Sequence, residues 1–226
     1  MGTVQKTCFG FGHGEVHPTG ILLYGETKRN VRQKGVFHME KRKLTNEERI
    51  ANNKAIAESY YHAYDKKAVK DGAVYDVWVF APHAEYWSPY FGNSMIDLQT
   101  NPISVEDSAT MEALSYSVEF DNWAPVDFEA FPSIEGVAWK THFGGYRKKD
   151  GVFMDFFAYS FIRSNEYGEI THWETHVNTG YNDFLDVAIG EHGPYQDANL
   201  YMAAVMKKLK SAGIDLAALM HQSRKI

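Results

Sequence analysis

Three apolar runs, at 137–145, 152–163 and 169–178, follow one another with only "RKKDG" and "NEYG" between them. Turn-forming clusters that short join neighbouring antiparallel strands. A further run at 126–131 precedes them, so the spacing predicts a four-strand meander. Helical patterns surround it. In "LTNEERIANNKAIAESYYHAYDKKA" the apolar positions Ile50, Ala57, Tyr60, Tyr61 and Tyr64 recur at helical spacing. Thr45 or Asn46 can cap that helix, and Glu47 and Glu48 sit in its first turn. "SVEDSATMEALSYSVEF" reads as a second helix, with Ser104 as cap and Asp107 at the capping-box position. "YNDFLDVAIG" and "DANLYMAAVMKKLKSAG" read as two more. "HAEYWSPYF" reads as a strand ended by Gly92, entered through an irregular "YDVWVF". This order predicts an α+β fold with helices on one face of a curved, mostly antiparallel sheet.

The chain divides into three parts: a Gly-rich, charged arm over 1–44, a body over 45–190 and a helical extension over 191–226. In the arm, "FGFGHGEVHPTG" has too many glycines for a helix, and His13 and His17 read as exposed loop residues. Of 226 residues, 15% are aromatic, with 14 Tyr, 14 Phe and 5 Trp. That favours a pocket for a flat apolar ligand. Net charge is −6 and no basic stripe is interleaved with aromatics, which argues against nucleic acid. The single cysteine, Cys8, excludes an intrachain disulfide framework. No apolar run approaches the ~20 residues of a membrane span. The first 20 residues lack the charged start and apolar stretch of a signal peptide, so a cytoplasmic protein is the expectation.

The helix ending in "AYDKKA", the strand "EYWSPYFG" and the meander ending in "YGEITHWETHVN" resemble the nuclear transport factor 2-like superfamily, which includes the SnoaL-like polyketide cyclases and scytalone dehydratase. The resemblance covers about 45–190. It implies a cone-shaped sheet around a deep pocket roofed by helices, without a cofactor. "SYYHAYDKKA" is similar to the helix end of scytalone dehydratase, which implies active-site roles for Tyr64 and Asp65. The family's strand tyrosine falls near Tyr86 or Ser88, and its pocket asparagine near Tyr159. That enzyme's paired histidines have no clear counterpart.

Alternation sorts the remaining candidates, since side chains two apart share a strand face. Phe153, Asp155, Phe157, Tyr159 and Phe161 form one face, and a hairpin at "RKKDG" sets Trp139, Thr141 and Phe143 opposite it. The resemblance assigns this face to the pocket. Asp155 is then a pocket carboxylate; alternatively it is a strand-end acid bonded to a backbone amide or an arginine. His172, Glu174 and His176 share a face of "ITHWETH". They could be structural, could act through a strand bulge, or could bind a metal with His142. The family register turns Trp173 and Thr175 toward the pocket and the histidines toward the convex face. His142, before two glycines, could be redirected inward as a base.

These residues predict proton-transfer chemistry. Tyr64, Asp65, Tyr86, His142, Asp155 and Tyr159 are the catalytic candidates. Trp139, Phe157, Phe161, Trp173 and His176 are the candidate substrate contacts. The predicted activity is a lyase or dehydratase that uses no metal or other cofactor and acts on a small aromatic, phenolic compound. Within the superfamily, size and aromatic richness resemble the lignin diarylpropane lyases. That implies a two-ring substrate losing water and formaldehyde. The alternatives are an isomerase or polyketide-type cyclase, a non-catalytic binding module, and a metal enzyme using His142, His172 and His176. A homo-oligomer, dimer or trimer, is also expected.

Overall fold

A computed structural model of the chain describes residues 41–64, 77–92, 96–97 and 105–217, all within one compact unit that runs from Glu40 to Ile226. The order is α1 (Asn46–Ala63), β1 (Phe80–Trp87), β2 (Ile96–Asp97), α2 (Val105–Glu119), β3 (Phe120–Pro132), β4 (Gly136–Arg147), β5 (Phe153–Ser164), β6 (Ile170–Val177), α3 (Gly180–Ala188) and α4 (Ala198–Ser211). Residues 1–40 of the arm read over 1–44, and the proposed cap Ser104, lie outside the described residues.

The strands form one sheet in the order β2-β1-β6-β5-β4-β3. β3 to β6 are the meander, each antiparallel to the next. β1 joins parallel to β6 and carries β2 on its outer edge. The sheet is curled but not closed. At the β4–β5 turn, Gly151 holds φ +72° where a side chain would be strained, and its amide donates to the Arg147 carbonyl at 2.8 Å. Tyr146 then faces Phe153, and the register runs on through Phe143 with Phe156 and Trp139 with Ser160.

α1 begins where its sequence satisfies its own first turn. Thr45 accepts from the Glu48 amide, and the Glu48 carboxylate accepts from the Thr45 amide at 2.8 Å. Ile56, Ala57, Tyr60 and Ala63 are buried on one side of this helix. Asn53, fully buried among them, fixes the helix on the sheet. Its amide donates to the Ser133 carbonyl and its carbonyl accepts from the Ser164 hydroxyl, both at 2.8 Å. Thr45→Ala is expected to cost about 1 kcal/mol, read as a lowered melting temperature with the spectrum of the folded state unchanged.

α2, α3 and α4 cover the concave side of the sheet. Phe184 of α3 stacks on Phe120 at 4.5 Å and packs on Phe156 at 4.9 Å. α4 belongs to the same core: Tyr201, Met202, Val205 and Leu209 are buried in it. The segment set apart in the sequence as an extension therefore closes the body. No helix among the described residues is long and apolar enough to cross a membrane.

Candidate functional site

The sheet's concave face and the helices over it enclose a cavity of about 140 Å³. Tyr60 and Tyr64 reach it from α1, Tyr86 from β1, and Trp173 and Thr175 from β6. The inner positions of β4 and β5 contribute Phe143, Phe156 and Ala158. Phe143 stacks against Trp123 at 5.4 Å with the rings nearly parallel. The walls are therefore mainly aromatic, as suits a flat ligand.

Among the described residues, one charged side chain faces this space. Glu112, on α2, is the only carboxylate among the described residues that line the cavity, and no Lys, Arg or His lines it. The Tyr64 hydroxyl donates to Glu112 Oε2 at 3.1 Å. Burial pushes the Glu112 carboxyl up to about 7, and hydrogen bonds from Tyr64 and Tyr201 hold it from rising further. The cause is desolvation of a half-buried carboxylate among aromatic walls, with no cation among the described lining residues to offset it.

Three phenols from three helices meet beside it. Tyr116 of α2 hydrogen bonds Tyr181 of α3 at 2.7 Å and also Tyr201 of α4, and Tyr181 bonds Tyr201 at 3.1 Å. All three line the cavity. Burial holds each well above the ordinary tyrosine range, so they stay neutral and act through hydrogen bonds. On the sheet side, Thr175 accepts from the Trp173 indole at 3.2 Å and exchanges a bond with Ser160 at 3.0 Å.

A long first helix, a curled sheet running through a meander, and a pocket between that sheet and its helical roof are now in place. The fold is α+β, a curled mixed sheet roofed by helices. No family model matches the sequence, and no curated protein matches it. Solved structures of nuclear transport factor 2-like and related proteins resemble it loosely. One is a nuclear transport factor 2-like protein from Burkholderia thailandensis, 16% identical, covering 60% of this chain and 93% of its own, TM-score 0.38. Another is a phenazine biosynthesis-related protein from Pseudomonas aeruginosa, 11% identical, covering 62% and 87%, TM-score 0.37. A third is a steroid delta-isomerase from the same organism, 13% identical, covering 72% and 94%, TM-score 0.36. Alignments this loose carry nothing about chemistry.

The sequence-predicted residues fall in several places. Tyr64, Tyr86 and Trp173 line the cavity. Asp65 lies outside the described residues. Trp139 is on the concave side but buried in the core, 4.8 Å from the Tyr60 ring. The pocket face predicted for β5 is corrected. Phe156, Ala158, Ser160 and Ile162 point inward, while Phe153, Asp155, Tyr159 and Phe161 are exposed on the convex side and Phe157 is partly exposed there.

Asp155 has a partner on that convex side. His142 lies there too, and its Nε2 is 2.7 Å from Asp155 Oδ2. The imidazole stacks on Phe157 at 4.4 Å, and Lys140 Nζ stands 4.8 Å over the same ring. His142 is therefore not turned inward as a base. His176 also faces outward, with Nε2 2.5 Å from Glu174 Oε1, and His172 lies 3.7 Å from the other oxygen. As a substrate contact His176 is corrected as well. Among the described residues no group of three or more His, Cys, Asp or Glu is placed to hold a metal ion.

Sequence reading missed Glu112, Tyr116, Tyr181 and Tyr201. A signal for Glu112 was present. It stands seven residues after Val105, three after Ala109 and four before Tyr116, so it shares their helix face. An acid on the apolar face of a core helix is costly unless it has a use.

Proposed function

We propose that this chain is a cofactor-independent acid–base catalyst, a lyase or dehydratase acting on a small oxygenated aromatic or cyclic compound, with Glu112 as the proton-transfer group. The observation that carries this reading is Glu112, the one carboxylate among the described residues that line an aromatic cavity, its pKa raised to about 7 by burial. A base poised near neutrality can both take and return a proton. In an elimination, the Glu112 carboxylate takes a proton from carbon and the C–H electrons form the double bond. The departing hydroxyl then takes that proton from Glu112 and leaves as water. Once Glu112 is protonated, Tyr64 no longer has to donate to it, and its hydroxyl can turn to a substrate oxygen that gathers negative charge.

The cavity size narrows the substrate. A cavity of about 140 Å³ is close to one that accommodates benzene, roughly 150 Å³. That supports a one-ring substrate over the two-ring diarylpropane of the lignin lyases. An isomerase is the second reading, because Glu112 could return the proton to a different carbon of the same compound.

The test is to incubate the purified, chelated protein in deuterated buffer with hydroxylated one-ring phenols and cyclic ketones, followed by mass spectrometry. Loss of the mass of water supports the dehydratase. Deuterium gained without loss of mass supports the isomerase. Neither outcome with any compound would remove acid–base catalysis and leave the binding module.

We also propose that the chain assembles through the convex sheet face. Phe131, Tyr159 and Phe161 are exposed there at 58%, 38% and 48%, a large apolar area for one face of a sheet. Acids and bases alternate among them, with Glu129 opposite Lys140 and Glu174 opposite Phe161. Light scattering is expected to show a dimer or trimer at micromolar concentration, and Phe161→Glu to shift it toward monomer. A monomeric wild type would count against this assembly.

A further inference from the structure

On the sheet side of the cavity, three side chains decide where one proton goes. The Trp173 indole N–H donates to Thr175 Oγ1 at 3.2 Å, since an indole nitrogen can only donate. Ser160 and Thr175 face each other across β5 and β6 and share a second hydrogen bond, at 3.0 Å. Either hydroxyl can be its donor, and the two directions differ in what they leave behind. Ser160 is fully buried, is not among the residues that line the cavity, and has no other hydrogen-bond partner among the described residues. If Thr175 donated, the Ser160 proton would be stranded in the core, which is the costly arrangement.

With Ser160 donating, Thr175 accepts twice, and both lone pairs of its oxygen are filled. Its own proton then has no acceptor among the described residues, and Thr175 lines the cavity. The proton is left for whatever the cavity holds.

We propose that Thr175 is a ligand contact that donates and does not accept, and that the cavity takes a single-ring compound whose carbonyl oxygen receives this hydrogen bond. The proposal rests on the reading of the cavity as the site where Glu112 moves a proton, and it names what the substrate carries. Glu112 comes from α2 and Thr175 from β6, so the acid–base group and the donor stand on different walls. Glu112 takes a proton from the carbon beside the carbonyl. The C–H electrons form a carbon–carbon double bond, the carbonyl pair moves onto oxygen, and Thr175 holds that oxygen as it gains charge. Tyr86 brings another hydroxyl to the sheet side, opposite Trp173 in the β1–β6 register. A phenol can donate or accept, whereas Thr175 has no lone pair left, so the selection for an acceptor oxygen lies with Thr175.

Cyclohexanone and methylenecyclohexane test this as probes of nearly equal shape, since only the ketone carries an acceptor. Titration calorimetry with Thr175→Val is expected to show the ketone-to-alkene affinity ratio falling about five-fold from wild type, the scale of one hydrogen bond. Ser160→Ala should leave the ratio where it was, because the Thr175 proton was not spent on Ser160. Thr175→Cys keeps an acceptor for Trp173 and Ser160 but offers only a weak donor. It should lower the ratio too, and it decides the matter if the valine variant does not fold. A ratio unchanged by substitution of Thr175 would overturn the proposal and leave the ligand site standing. A ratio that rises in Ser160→Ala would overturn it as well, because Thr175 would then have been donating to Ser160. If neither probe binds at millimolar concentration, the cavity reading falls and takes the proposal with it.

Discussion

Glu112→Gln is expected to lower turnover by about 100-fold or more, the scale for loss of a general acid or base, while the fold survives. The amide keeps the shape of the carboxyl and can still accept from Tyr64, so the loss would be one of proton transfer. The variant should also alter stability with pH. The folded-state pKa of Glu112 is raised, from 4.5 to about 7. The folded protein therefore holds this proton where the unfolded chain has already released it. The stabilising contribution is fully present below the unfolded value, declines as pH rises, and is gone above about 7. The shift corresponds to roughly 3 kcal/mol. Melting temperatures of the two proteins should therefore diverge between about pH 5 and 7, with the variant the more stable at the upper end. Parallel curves for wild type and variant would mean that the carboxyl is solvated. Unchanged turnover would remove Glu112 from the chemistry.

Phe143→Ala is expected to be the most destabilising single change at the cavity wall. Phe143 is 2% exposed, stacks on Trp123 at 5.4 Å, and packs on Phe156 at 5.2 Å and Tyr64 at 5.2 Å. Truncating a buried phenylalanine to alanine costs about 3–5 kcal/mol, because the neighbours only partly fill the space left. For a domain of this size that lowers the melting temperature by about 10 °C. The surviving fold would have a larger cavity, so its preference should move toward bulkier ligands. A variant that melts like the wild type would show that Phe143 does not face inward, and the β4–β5 register would have to change.

That register shows how far the sequence could be read. The turn signals around "RKKDG" and "NEYG" were plain, because short charged and Gly-containing clusters interrupt runs of β-formers. Alternation on β5 was also plain. Which of its two faces points inward was not. Large aromatics stand at Phe153, Phe157, Tyr159 and Phe161, and hydrophobicity alone sends that set to the interior. The structure buries the other set because the concave side of a curled sheet is crowded. Ala158 and Ser160 leave room there for Trp139, Tyr60 and the cavity. Pairing Trp139, Thr141 and Phe143 with the odd-numbered residues of β5 was a slip of one position, which exchanges every side chain between faces. On β6, the assignment of Trp173 and Thr175 inward matches the structure. The polar site was least legible. Glu112 and these phenols come from four helices, and only tertiary packing brings Tyr64 to Glu112 and joins Tyr116, Tyr181 and Tyr201.

The position of α4 bears on how this protein comes into being. Tyr201 closes the phenol triangle and lines the cavity beside Glu112, and it arrives only after the sheet and the other helices have been synthesised. A nascent chain released before Ala198 could curl its sheet and seat α1, yet it would hold an open phenol triangle and a chamber lacking one wall. Catalytic competence would then appear in a single step, once α4 has been made, rather than growing with length. Messages truncated before the Ala198 codon would yield protein that is inert, not feebly active, and whose unfinished apolar interior quality-control proteases could recognise.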